Sequence, residues 1–213
     1  IPKREIYIKN LINRIFLNPI FFKGFNKNDL NEEELIKDEF IKREWTESPR
    51  FNFGRVACHM GHMAILKEFL QTNDKYALVF EDDIYIDLSD LVNIRNKIKT
   101  ILTNIPEDAD IVYLSFCWES CEKVIPYKKN KIFQHSFKPL CRHMYLVSKN
   151  GTRIILNNTK RLEKPGDNTI ASLIEEGLLK SYNVDPAYFV LLQDRQKLGS
   201  NLGNINMFRL CRK

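Results

Sequence analysis

No apolar run among the 213 residues approaches the length a bilayer span requires. Basic residues never gather into a block of five, and aromatics do not alternate with lysines as they do on RNA-binding sheets, so nucleic acid is not the expected partner. There is no glycine-rich phosphate loop and no His-Glu-x-x-His helix, which sets aside P-loop phosphotransferases and zinc proteases. The five cysteines, Cys58, Cys117, Cys121, Cys141 and Cys211, lack the spacing of a disulfide scaffold and are expected to be reduced thiols of an intracellular protein. Cys117 and Cys121 find no second Cys/His pair at finger spacing, so zinc is not expected. Repeats, low-complexity tracts and linkers are missing too. The opening Ile1-Pro2-Lys3-Arg4-Glu5 is not a signal peptide, and without a methionine the chain is expected to be a trimmed piece of something longer.

What is present fits one domain over residues 1–213: 44% hydrophobic and 28% charged residues suffice for a substantial core. A net charge of +6 favours anionic partners, such as nucleotide phosphates or an acidic membrane surface contacted peripherally. Richness in Lys, Ile and Asn suggests an AT-rich genome, bacterial or viral. The expected location is the cytoplasm of a bacterium or of an infected host cell, with a membrane surface or the endoplasmic reticulum as alternatives.

Short β-forming runs alternate with helical periodicity. Strands are expected at Glu5–Lys9, Tyr76–Phe80, Asp110–Ser115 and Met144–Ser148, and Tyr188–Leu192 is expected to end the ordered pattern. Helices are expected over Asp29–Arg43, from Met63 to near Asn73, over Leu91–Leu102 and Thr152–Leu156, and from Asn168 to a stop at Gly177. Such alternation predicts an α/β fold with a mainly parallel, layered sheet.

The centre of the pattern is Tyr76-Ala77-Leu78-Val79-Phe80 breaking into Glu81-Asp82-Asp83. Ligand crevices in open α/β sheets lie beyond the carboxyl ends of strands, where these acids emerge. Three adjacent carboxylates repel one another, and a divalent cation relieves that repulsion. On extended chain Glu81 and Asp83 point one way and Asp82 the other, so the first two are the expected metal ligands. Oxygen donors alone suit magnesium or manganese better than zinc. The plain alternative is an acidic turn in water.

The order of motifs resembles glycosyltransferase family 25, which includes lipooligosaccharide and collagen galactosyltransferases. The resemblance is carried by Tyr7-Ile8-Lys9-Asn10-Leu11 with Arg14, by Gly54-Arg55-Val56-Ala57-Cys58 through His62, and by Leu78 through Asp83. Tyr145 through Gly151, Pro165-Gly166-Asp167, and Gln193 with Ser200 complete it. Departures from the family pattern are Arg55, Gly61, Leu17 and Asn201. The resemblance implies a GT-A nucleotide-diphospho-sugar fold, an open mixed sheet flanked by helices. It also implies manganese or magnesium at the acidic motif, a UDP-sugar donor, inversion at the anomeric carbon, and a saccharide or hydroxylysine acceptor. Galactose is the first expected sugar and glucose the second. Asp167 is the implied catalytic base, against a plain role as helix cap. Asp110 is the competing carboxylate, but it starts a strand. Asn10, Arg14, His62, Asp82, Gln193 and Ser200 are the implied donor-binding residues. A lone arginine is most often a surface cation, and His62 in a helix is most often a structural hydrogen-bonder.

Overall fold

The structure, a computed structural model, describes residues 2–15, 18–86, 88–189, 192–193 and 211. In chain order the elements are α1 (Pro2–Ile15), α2 (Glu32–Lys37), α3 (Arg43–Thr46), α4 (Phe53–Leu70), β1 (Tyr76–Phe80), β2 (Ile84–Tyr85) and α5 (Leu91–Thr103). They continue with β3 (Ile111–Ser115), β4 (Ile125–Pro126), β5 (Phe133–His135), β6 (Met144–Ser148), α6 (Lys149–Asn158), α7 (Gly166–Glu175), β7 (Ser181–Val184) and β8 (Leu192–Gln193). Among the described residues no helix is long and apolar enough to cross a membrane.

The main sheet has the order β1-β6-β3-β7-β5-β4, and β2 pairs separately with β8. It is an open mixed sheet with helices on both faces, as a GT-A-like fold requires, but it is not mainly parallel. Among its described strands only the neighbours β3 and β7 run parallel; β6 lies between β1 and β3 and opposes both. The chain between β3 and β6 makes an excursion through β4 and β5 and re-enters the sheet at the end where β3 leaves it, instead of crossing over by a helix to the other end. As a result β1, β3 and β7 point the same way, and their carboxyl ends share one edge with the residues leading into β6.

Strand side chains alternate between two cores. Val112, Leu114, Met144 and Leu146 pack with Ile8, Leu11, Ile12 and Ile15 of α1 and Ile98 and Ile101 of α5. Ile111, Tyr113, Tyr145 and Val147 pack with Met63, Leu66, Ile155, Ile170 and Leu173 from α4, α6 and α7. Each fully buried aliphatic chain contributes about 1.5–3 kcal/mol, so both faces hold the sheet firmly.

Three local expectations are corrected. The strand at Glu5–Lys9 is part of helix α1, because Ile8, Leu11, Ile12 and Ile15 repeat at helical spacing and all are buried. The single helix over 29–43 is broken: Glu39 turns to φ 57°, and the amides of Phe40 and Ile41 close back on the Leu35 carbonyl. That break lets Ile41, fully buried, bridge to Leu162. Helix α4 starts ten residues before Met63, capped by the Asn52 side chain on the Gly54 amide at 2.6 Å.

The cysteines are corrected as well. Cys117 is bonded to Cys141 and Cys121 to Cys211, leaving Cys58 as a thiol. Spacing could not show this, since the partners come together only after the β4–β5 excursion folds back.

Candidate active site

The acidic triplet sits where strand β1 ends. The Glu81 amide donates to the His143 carbonyl at 2.9 Å, and Asp82 and Asp83 then turn away from the sheet. Because the segment is a turn and not extended chain, strand alternation does not govern it. Asp82 and Asp83 face the same guanidinium: Arg4 Nη1 lies 2.8 Å from Asp82 and Nη2 lies 3.3 Å from Asp83. Arg4 and Asp83 are both buried, whereas the Asp82 side chain is half exposed.

Glu81 turns instead toward α4. His62 Nε2 lies 3.2 Å from Glu81 Oε1, and the Cys58 thiol donates to the same oxygen at 3.6 Å. His62 Nδ1 is 3.0 Å from the Tyr145 hydroxyl. Burial, with the Arg142 charge adding to it, pushes the His62 pKa well below its ordinary value, so the ring is neutral. Burial also raises Tyr145 above the usual phenol range, which keeps its hydroxyl a donor. The consistent arrangement has Tyr145 donating to Nδ1 and Nε2–H donating to Glu81. Desolvation, then the Glu81 charge, pushes the Cys58 thiol up.

Asp167 occupies the first turn of α7. Its Oδ1 accepts from the Asn168 amide at 3.0 Å and its Oδ2 from the Cys141 amide at 3.3 Å. Pro165 is the residue at the cap position, so Asp167 is not the helix cap. Cys141 has φ 69° and is tied to Cys117. Beside it Arg142 is buried, and its Nη1 has no hydrogen-bond partner among the described residues. Burial opposes its charge, but the acidic groups around it, Cys58, Tyr145 and Asp167, outweigh that and hold its pKa up.

An open cleft of about 540 Å³ adjoins α7, lined in part by Trp45, Arg50, Lys164, Pro165 and Asn168. Pro165 and Asn168, on either side of Asp167 in sequence, line the cleft, and the Asp167 charge bears on Cys58 and His62.

The other candidates are less gathered. Asp110 accepts from Asn150 Nδ2 at 2.7 Å and the Lys180 amide at 2.9 Å, holding the start of β3 at the opposite end of the sheet. Asn10 and Arg14 are exposed on α1, about 9 and 15 Å along the helix axis from Arg4. The Gln193 backbone pairs with Ile84, next to the triplet, but its side chain lies outside the described residues, as does all of Ser200.

Arg4 and Arg142 are the residues sequence patterning misses. Arg4 continues the buried stripe of Ile8, Leu11 and Ile15, a sign available once α1 is known to be a helix. Arg142 had no such sign.

For a hard dication the donor chemistry fits in kind. Asp82 and Asp83 already bind one cation, the Arg4 guanidinium, and Asp82 opens to solvent. Among the described residues, the three side chains whose ligand atoms all lie within 4.8 Å of one another are Cys58, His62 and Glu81.

Residues 2–170 match the family model of glycosyltransferase family 25, described as an LPS biosynthesis protein. No curated protein matches the chain.

Proposed function

Since the chain belongs to glycosyltransferase family 25, an enzyme family that uses a sugar donor and an acceptor, we propose that it transfers a hexose from a UDP-sugar with inversion. Galactose is the proposed hexose, and a hydroxyl of a saccharide is the proposed acceptor, in keeping with the family's link to lipopolysaccharide synthesis. Hydroxylysine in a collagen-like chain is the second acceptor.

The observation that supports this reading is that Pro165 and Asn168, which flank Asp167 in the first turn of α7, line the open cleft. An acceptor hydroxyl in the cleft gives its proton to Asp167 as its oxygen bonds to the anomeric carbon. The carbon–oxygen bond to the diphosphate breaks on the opposite face, through a transition state of oxocarbenium character. The Cys141 and Asn168 amides donate to the Asp167 carboxylate and hold it in place. Arg142 adds a buried positive charge beside it.

Manganese, or else magnesium, is the proposed cofactor, held by Asp83 with Asp82. When bound it supplies positive charge to the leaving diphosphate. Glu81, first expected to share that ion with Asp83, has His62 and Cys58 as partners. Asn10, Arg14, His62, Gln193 and Ser200 remain proposals for donor binding. Two disulfides favour work in an oxidising compartment, such as the endoplasmic reticulum, over the cytoplasm. The basic net charge suits peripheral contact with an acidic membrane surface.

The test is transfer from a panel of UDP-sugars by the wild type and Asp167→Asn, with UDP binding measured calorimetrically with and without manganese. Transfer should fall at least about a hundredfold in the variant, within the range for loss of a general base, while UDP still binds. An Asp167→Asn enzyme with undiminished transfer defeats the assignment.

A further inference from the structure

The side chains of Cys58, His62 and Glu81 form a compact group, of which the proposed reaction gives a task only to His62, in donor binding. Cys58 and His62 are four residues apart on α4, one helical turn, so both face the end of β1. Their ligand atoms and a Glu81 oxygen all lie within 4.8 Å of one another. We infer that this group is a binding site for a thiophilic divalent cation of the zinc class, separate from the ion proposed for Asp82 and Asp83.

Three features of the surroundings favour a cation there. The Tyr145 hydroxyl lies 3.0 Å from His62 Nδ1; with a cation on Nε2 the ring proton moves to Nδ1 and the hydroxyl oxygen accepts it, which fixes the ring with Nε2 turned to the other two donors. Orientation of a ligand histidine through its second nitrogen is the usual supporting arrangement at metal sites. Sulfur, nitrogen and oxygen donors together suit zinc, whereas manganese and magnesium prefer oxygen alone. Of the five cysteines, four are paired in disulfides and Cys58 is left beside a histidine and a carboxylate.

Charge and access agree with this. Glu81, Asp167 and Arg142 are charged side chains that act on the group. A dication enters as Cys58 releases its thiol proton to solvent, so the thiolate and the Glu81 carboxylate together offset its charge. Glu81 keeps 23% of its side chain exposed, which gives the group access to solvent. The absence of finger-type cysteine pairs does not bear on a set assembled from a helix face and a strand end.

The probe is cobalt(II), added to the metal-stripped full chain with its disulfides intact and no reductant. Wild type should show a thiolate-to-cobalt charge-transfer band in the near ultraviolet, and zinc should displace cobalt and abolish it. Cys58→Ser should lose the band, and Tyr145→Phe should weaken cobalt binding about ten- to a hundredfold by freeing the ring. Asp167→Asn and Asp83→Asn should both keep the band, so failure of the transferase scheme would be seen apart from failure of this site. Cobalt bound without a thiolate band in the wild type, or a band that survives in Cys58→Ser, overturns the inference.

Discussion

The backbone amide of Cys141 holds the carboxylate of Asp167 at 3.3 Å, and Cys141 itself is fixed by its bond to Cys117. The proposed base is therefore positioned by a residue whose own left-handed backbone, φ 69°, is maintained by a disulfide. Loss of that tie should let the 141–142 turn relax and Asp167 drift. Paired replacement, Cys117→Ser with Cys141→Ser, should lower kcat about ten- to a hundredfold, the scale expected for a displacement near 1 Å. Donor KM should change little. Rates should be compared well below the unfolding transition, since the missing cross-link also lowers stability by about 2–4 kcal/mol. An unchanged kcat would separate the disulfide from the base.

Acid should unfold the protein early. Burial, with the Arg142 charge adding to it, lowers the His59 pKa from 6.5 to about 3, and His62 is lowered too. Between those values the unfolded chain takes up a proton that the folded chain refuses, so stability is complete above about pH 6.5 and falls as pH drops. His59 alone should remove about 1.4 kcal/mol per pH unit in that window. Denaturant titrations from pH 7 to pH 4 give the slope. His59→Gln should flatten it; an equal slope in the variant would place the sensitivity elsewhere.

Much of the sheet was legible because it follows from runs that need no tertiary information. β1, β3 and β6 are apolar five-residue stretches, and α5 and α6 have both a periodic stripe and a side-chain cap, Asp90 and Ser148 respectively. β7 was not legible. Its Ser181-Tyr182-Asn183-Val184 is buried throughout although half polar, because Asn183 donates to the buried Glu119 carboxylate at 2.8 Å. Ser136 and the amides of Ser120, Phe137 and Lys138 bind that same carboxylate, a network that exists only once the β4–β5 excursion has folded. Asp167 and the triplet stood out as acids in marked contexts. Which cation each would meet did not, since Arg4 lies 78 residues from Asp82 and Arg142 lies 25 from Asp167.

Two glycines separate stability from chemistry. A Cβ on Gly151 would lie 2.3 Å from the Asp110 carbonyl oxygen, where α6 crosses the start of β3 far from the acidic edge. A Cβ on Gly166 would lie 2.3 Å from His59 Nδ1 and 2.9 Å from Arg142 Nη2, beside Asp167. Both Gly→Ala changes should destabilise by about 1–3 kcal/mol through overpacking. At a temperature where both remain folded, Gly151→Ala should transfer sugar at the wild-type rate and Gly166→Ala should be several-fold slower. Equal activities would mean that the Arg142 neighbourhood does not govern the base.

Arg4 and Asp83 tie α1 to the acidic edge, and if the proposed manganese sits there, that bond makes the ion and the helix competitors for one carboxylate. Removal of the guanidinium in Arg4→Gln leaves the buried Asp83 without it, and breaking a buried pair from one side costs about 3–5 kcal/mol. Manganese should then recover more stability in the variant than in the wild type, because in the wild type the ion must first displace Arg4. At a concentration a hundredfold above the dissociation constant the recovery should reach about 2.7 kcal/mol. Thermal unfolding of both proteins across a manganese series reads the difference directly. If manganese raises the midpoint of the two proteins equally, the ion does not compete with Arg4, and its proposed seat on Asp82 and Asp83 fails.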